Sequence, residues 1–220
     1  MSYKYILFDL DGTLTDPKVG ITKSVQHALK KFSIDVSNLD NLEKFIGPPL
    51  KDSFMQFYNF NEKQAYQAID YYREYFKDTG IFENKLYPGI AKLLKQLNEK
   101  NKIVAVSTSK PTVFAERVLN HFKLNTYFRI IVGSNLDGSR SSKTKIINHT
   151  LKQLDVQNLK DVVMIGDRKY DMLGAINNKI DCIAVSYGYG SLPEITQCSP
   201  TYLVDSVEQL SALLTKQELK

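Results

Sequence analysis

The stretch Tyr5-Ile6-Leu7-Phe8-Asp9-Leu10-Asp11-Gly12-Thr13 constrains this chain more than any other. Its apolar, β-favouring run reads as a buried strand, and the run ends abruptly in two carboxylates two positions apart. Side chains two apart on an extended chain point the same way, so Asp9 and Asp11 can face one pocket at the strand's end. Two like charges at the mouth of an apolar strand are costly unless a cation or hydrogen bonds compensate them. The pair therefore points to a metal or a shared proton. Gly12 then permits a turn that a Cβ would restrict.

Beyond Thr13 the periodicity becomes helical. Asp16-Pro17 reads as an N-cap followed by proline at the first helical position, and Ile21, Val25, Ala28, Leu29 and Phe32 recur at helical spacing. Further helical pieces carry Leu39, Leu42, Phe45 and Ile46 up to a Gly47-Pro48-Pro49 break, then run over about 50–58, then carry Ala65, Ala68, Ile69, Tyr72 and Phe76 to Gly80. Tyr58, Tyr66, Tyr71, Tyr72 and Tyr75 read as a packing stripe of these helices. No strand alternation is legible between Thr13 and Tyr87.

From Tyr87-Pro88-Gly89 onward, strand and helix alternate. Strands are predicted over 102–108, 129–132, 162–166, 181–185 and 202–204. Helices carry Ile90 to Leu97, open at Pro111, span 146–154, and begin at the capping-box pair Ser206 and Gln209. That rhythm means a parallel sheet with helices on both faces, its strand C-termini gathered on one ligand-binding edge. Residues 1–15 and 85–220 are expected to make this α/β core, and 16–84 an inserted helical domain hinged around Thr15-Asp16 and Phe82 to Leu86.

Composition narrows the function classes. Of 220 residues, 43% are hydrophobic and 24% charged, the range of soluble globular chains, and no apolar run approaches a membrane span. The formal charge of +5 comes from dispersed lysines with no run above two basic residues, which argues against a nucleic-acid partner and for a solvated surface. Cys182 and Cys198 form no CxxC pair, so zinc and a disulfide framework are not expected, and a reducing cytoplasmic setting fits.

Three more stretches bring complementary groups to the strand ends. Ser107-Thr108-Ser109-Lys110 offers hydroxyls and backbone N–H groups suited to phosphate oxygens. The polar loop Ser139 to Lys145 precedes the helix at Ile146 and carries two cations, Lys143 and Lys145, of the kind needed beside a phosphoryl group flanked by carboxylates. Gly166-Asp167-Arg168-Lys169-Tyr170-Asp171 follows the strongest late strand and supplies oxygen ligands for a hard cation, although Asp171 also suits a helix cap. Gly188-Tyr189-Gly190-Ser191 reads as a turn near the site, lacking the third glycine of a dinucleotide fingerprint. His27, His121 and His149 form no ligand triad.

Taken in order, Asp9-Leu10-Asp11-Gly12-Thr13, Thr108, Lys143 and Gly166 to Asp171 resemble the four motifs of the haloacid dehalogenase-like superfamily, most closely its phosphoglycolate phosphatase-like branch with an inserted helical cap. The resemblance covers nearly the whole chain. Thr144 stands where many members of the family have proline. It implies a Rossmann-like parallel sheet in which Asp9 is the nucleophile and Asp11 the acid/base. Mg²⁺ would be held by Asp9, the Asp11 carbonyl and Asp167. Thr108, Ser109 and Lys143 would hold the phosphate, with Gly12, Thr13 and Asp171 supporting. Gly47, Pro48, Lys51 and Arg73 of the inserted domain are candidates for substrate selection. The implied function is a Mg²⁺-dependent phosphatase acting on a small phosphorylated metabolite through an aspartyl-phosphate, with no nucleic-acid or membrane partner. A β-phosphoglucomutase-like sugar-phosphate mutase, a 5′-nucleotidase, a pyrophosphatase and a non-catalytic binding protein are the alternatives. Asp11 separates the phosphatase from dehalogenases of similar fold, which need no proton for the departing halide.

Overall fold

Strand β1 (Tyr5–Phe8) is buried along its whole length, and everything in the larger unit is arranged about it. The computed structural model describes residues 3–137 and 139–215. They divide into two compact units, Met1–Thr15 with Leu86–Lys220, and Asp16–Lys85. The chain leaves the first unit through β2 (Thr15–Asp16) and returns through β3 (Lys85–Leu86).

The larger unit then runs α4 (Ile90–Glu99), β4 (Ile103–Pro111), α5 (Thr112–His121), β5 (Ile130–Ser134), α6 (Lys143–Gln153), β6 (Val162–Gly166), α7 (Lys169–Asn177), β7 (Asp181–Val185), α8 (Leu192–Thr196), β8 (Tyr202–Val204) and α9 (Val207–Thr215). Its strands form one parallel sheet in the order β5-β4-β1-β6-β7-β8. Parallel strands need both faces covered, which explains the near-continuous apolar runs. Tyr5 and Leu7 turn to one face, joining Ala105, Met164 and Cys182 beneath Ile147, Leu151, Met172 and Ala175 of α6 and α7. Ile6 and Phe8 turn to the other and are as deeply buried. Each such side chain contributes about 1.5–3 kcal/mol by leaving water. From β1 the chain builds outward to β4 and β5, then returns to β6 on the other side. Loops at the C-terminal ends of β1, β4 and β6 therefore meet at a topological switch point.

The smaller unit is helical: α1 (Lys18–Lys30), α2 (Leu50–Tyr58) and α3 (Glu62–Tyr75), with α1 packed on α3 and α3 on α2. Asn61 opens α3 with a reciprocal capping box to Gln64, both bonds at 2.9 Å. Phe45, Phe54 and Phe60 sit in its core with Tyr72 and Phe76, whereas Tyr66 of the tyrosine stripe is exposed.

Several local expectations are corrected. Pro17 is the residue before α1, not its first; Asp16 Oδ1 accepts from the Lys18 N–H at 3.0 Å instead. Residues Leu39–Phe45 form a 3₁₀ helix, started by Asn38 accepting from the Asp40 N–H and halted before Gly47, whose φ is 104°. Phe76–Gly80 continues α3 as a π-helical turn. Strand β4 runs on to Pro111, so Ser107 to Lys110 lies in an irregular strand end and not in the turn before a helix. Its pairing with β5 changes register between Ser107 and Pro111.

Candidate active site

The loop after β1 is drawn tight by its own backbone: the N–H groups of Leu14 and Thr15 both donate to Leu10 O, and Gly12 N–H donates to Thr15 O at 2.7 Å. Asp9 leaves the sheet with its Oδ1 accepting from the Leu10 N–H at 2.7 Å. Gly12 takes φ +83°, and a Cβ there would lie 2.1 Å from Asp167 Oδ2. Glycine is thus needed both for the backbone conformation and for the close approach of the β6 loop.

Lys143 is the first residue of α6, with Ser142 as the N-cap. It is 5% exposed, and its Nζ stands 2.9 Å from Asp9 Oδ1 and 2.7 Å from Asp171 Oδ1 while donating to Ser107 O at 3.1 Å. Burial alone would lower its proton affinity; the carboxylates of Asp171 and Asp9 reverse this and hold it charged. Lys145, the rival, is exposed on the helix. Thr108, next to Ser107 on β4, is buried with its Oγ1 accepting from the Lys110 N–H, and Ser109 is half-buried with its carbonyl held by Ser134 Oγ.

Asp167 follows β6 and is clasped from three sides. Tyr189 N–H donates to its Oδ2 at 2.8 Å and Thr13 Oγ1 reaches its Oδ1 at 3.4 Å. Gly188 presses so close that a Cβ would lie 2.4 Å from Asp167 Cβ. Burial first, then the charges of Asp171 and Asp9, push the Asp167 carboxyl well above the usual range. Asp171 makes two contacts: its Oδ2 accepts from the Arg168 N–H at the start of α7, as a helix cap, and its Oδ1 pairs with Lys143. Burial raises it to about 6, against the opposing pull of Lys143.

Two contributors were not assigned from sequence. Lys110 places its Nζ 2.7 Å from Asp11 Oδ2, and Asp11 is raised by burial, with Lys110 opposing. The available signal was a lysine ending an apolar strand. The other is the Tyr187–Gly190 loop, legible only as a turn: Tyr187 Oη donates to Thr13 O at 3.0 Å and Tyr189 N–H to Asp167. Gly47, Pro48, Lys51 and Arg73 lie in the helical unit, where Lys51 pairs with Glu62 and Arg73 lies 3.9 Å from Asp70.

Oxygens of Asp9, Asp167 and Asp171 all lie within 4.8 Å of one another. Counting Asp11, four buried carboxyls face the two buried ammonium groups of Lys110 and Lys143, a formal −2 when all are ionised. An all-oxygen donor set with that imbalance fits a hard divalent cation.

A parallel sheet that gathers paired carboxylates and lysines at its switch point is the frame of an enzyme handling phosphoryl groups. The chain belongs to the haloacid dehalogenase-like hydrolases, whose family profile matches residues 6–185. It is 46% identical over 216 residues to a 5′-nucleotidase of Pseudomonas aeruginosa, covering 97% of this chain and 96% of that one. It is 38% identical over 200 residues to the tyrosine-protein kinase PtkA of Mycobacterium tuberculosis, covering 91% of this chain and 68% of the relative. A crystal structure of a predicted phosphatase from Clostridium acetobutylicum superimposes with a TM-score of 0.94 at 51% identity, over 97% of this chain and 99% of that one. Within the family this chain is a phosphatase. Among the described residues no helix is long and apolar enough to cross a membrane.

Proposed function

We propose that the protein is a Mg²⁺-dependent phosphatase of small phosphate monoesters, with nucleoside 5′-monophosphates as the leading substrate class, acting through an aspartyl-phosphate. The observation that carries the reading is Asp9 at the end of β1, its carboxylate 2.9 Å from the Lys143 ammonium and Asp11 two residues on. Asp9 attacks phosphorus in line. Asp11 gives its proton to the bridging oxygen as the P–O bond breaks, then takes one from the water that hydrolyses the acyl phosphate. Lys143, with Thr108 and Ser109, holds the non-bridging oxygens. When bound by Asp9, the Asp11 carbonyl and Asp167, Mg²⁺ supplies positive charge against the phosphoryl oxygens. Gly12 and Thr13 keep the first loop against Asp167, and Asp171 fixes Lys143. The helical unit, through residues such as Gly47, Pro48, Lys51 and Arg73, selects the substrate.

The name of the Pseudomonas relative, which aligns along almost its whole length, supports the nucleotide class. The kinase name belongs to the mycobacterial relative, about a third of which lies outside the alignment. The test is phosphate release from a panel of nucleotides, phosphoglycolate, sugar phosphates and pyrophosphate, with and without Mg²⁺, beside Asp9→Asn. Release should require Mg²⁺ and fall more than about a thousandfold in Asp9→Asn, with the thermal midpoint kept. Isomerised sugar phosphate in place of free phosphate would make the protein a mutase, and near-normal release by Asp9→Asn would remove Asp9 as nucleophile.

A further inference from the structure

Lys110 is unused by the steps above, yet it is 8% exposed, and a buried ammonium is costly unless paired. Its Nζ stands 2.7 Å from Asp11 Oδ2, with both side chains almost wholly out of water. The other Asp11 oxygen, Oδ1, is buried with no hydrogen-bond partner among the described residues. One oxygen of the acid/base is thus anchored and the other is open.

The anchor is itself built into the fold. The register shift between β4 and β5 falls at Ser107 to Pro111, where regular strand alternation is broken. Lys110 N–H donates to Thr108 Oγ1 at 3.3 Å. Its carbonyl meets Gly133 of β5 so closely that a Cβ there would lie 2.2 Å from Lys110 O and 2.6 Å from Thr112 N. Gly133 N–H in turn donates to Thr112 Oγ1 at 2.9 Å. These contacts fix the stem of a lysine whose head meets Asp11.

We propose that Lys110 is a positioning residue: its ion pair with Asp11 Oδ2 sets the carboxyl so that Oδ1 faces the bridging oxygen of the substrate. The proposal rests on the phosphatase reading, and it places Lys110 on the leaving-group side of the reaction, where Lys143 serves the attacking side. Positioning by Lys110 matters in proportion to how much the leaving group needs a proton. An alkoxide leaving a nucleotide or sugar needs one; a nitrophenolate does not.

The experiment compares steady-state kinetics of wild type, Lys110→Met and Lys110→Arg on the best alkyl phosphate of the panel and on p-nitrophenyl phosphate, with Mg²⁺ saturating. Lys110→Met should lower kcat/KM, which runs only through loss of the leaving group, about 10²-fold or more on the alkyl ester, the size of a general-acid contribution, and less than about tenfold on p-nitrophenyl phosphate. KM should stay within about threefold, and Lys110→Arg should recover much of the alkyl-ester rate. Equal losses of kcat/KM on both esters would overturn the proposal by reducing Lys110 to a structural part. So would a raised KM at unchanged kcat, the mark of a lysine that binds substrate. If Lys110→Met does not fold, Lys110→Gln takes its place, with the same excess loss expected on the alkyl ester. Wild type inactive on every ester would remove the phosphatase reading itself, and the proposal with it.

Discussion

At the scale of single residues the site depends on what is missing from its glycines. Asp167 can approach the first loop because Gly12 and Gly188 have no side chains, and a Cβ on Gly188 would lie 2.4 Å from Gly12 O as well as from Asp167 Cβ. The obstruction is backbone, which cannot rotate aside. Gly188→Ala should therefore displace Asp167 and raise the Mg²⁺ concentration for half-maximal activity by about 10–100-fold, the usual cost of disturbing a ligand's support. A Mg²⁺ titration of phosphate release measures this, and an unchanged midpoint would show that Asp167 is not a ligand. The residues proposed to carry the chemistry stood out in the sequence because each ends an apolar strand or opens a helix, a local pattern. Lys110 also ends an apolar strand, but its part, like that of Gly188, lies in contacts with residues distant in sequence, Asp11 and Asp167, 99 and 21 positions away by residue number. Spacing within one segment carries no record of such pairings.

At the scale of elements, buried strands were the most legible parts: Val162–Gly166, Asp181–Val185 and Tyr202–Val204 keep the limits their apolar runs suggested. Helical ends were less so. At Pro17 and along Leu39–Phe45 the boundary is set by competing side-chain bonds from Asp16 and Asn38. The two-residue strands β2 and β3 are too short for any periodicity to announce. The packing of α1 on the Phe76–Gly80 turn was equally silent in the sequence. There Gly20 faces Gly80, and a Cβ on Gly20 would fall 1.8 Å from Gly80 O. Helix propensity favours alanine over glycine by about 1 kcal/mol, but overpacking against an immovable carbonyl costs about 1–3 kcal/mol or more. Gly20→Ala should accordingly destabilise the protein, read as a lower urea midpoint at unchanged slope. A stabilised variant would mean that α1 and the turn separate freely.

For the whole molecule, the buried charge at the switch point couples stability to pH and, through the proposed cation, to metal. Burial and mutual repulsion raise Asp167 well above the usual carboxyl range, and burial raises Asp171 to about 6. Such groups bind protons more tightly folded than unfolded. The stability they permit is complete below their unfolded value of about 4 and is lost as pH rises through their folded values. Carboxylates on the surface act the other way, as at Asp40, which Lys18 holds low. A comparison of variants cancels that background. Without Mg²⁺, the thermal midpoint of Asp167→Asn should climb relative to wild type as pH rises above about 4, because the amide never ionises. Adding Mg²⁺ at about one hundred times its dissociation constant should reverse the order. Wild type gains about 2.7 kcal/mol by mass action, or about 5–10 °C, while the variant, short of a ligand, gains little. Scanning calorimetry of both proteins across pH, with and without Mg²⁺, measures the two effects separately from turnover. A difference flat in pH would mean that Asp167 is solvated in the folded protein. Equal Mg²⁺ shifts in both would place the cation elsewhere than between Asp9 and Asp167.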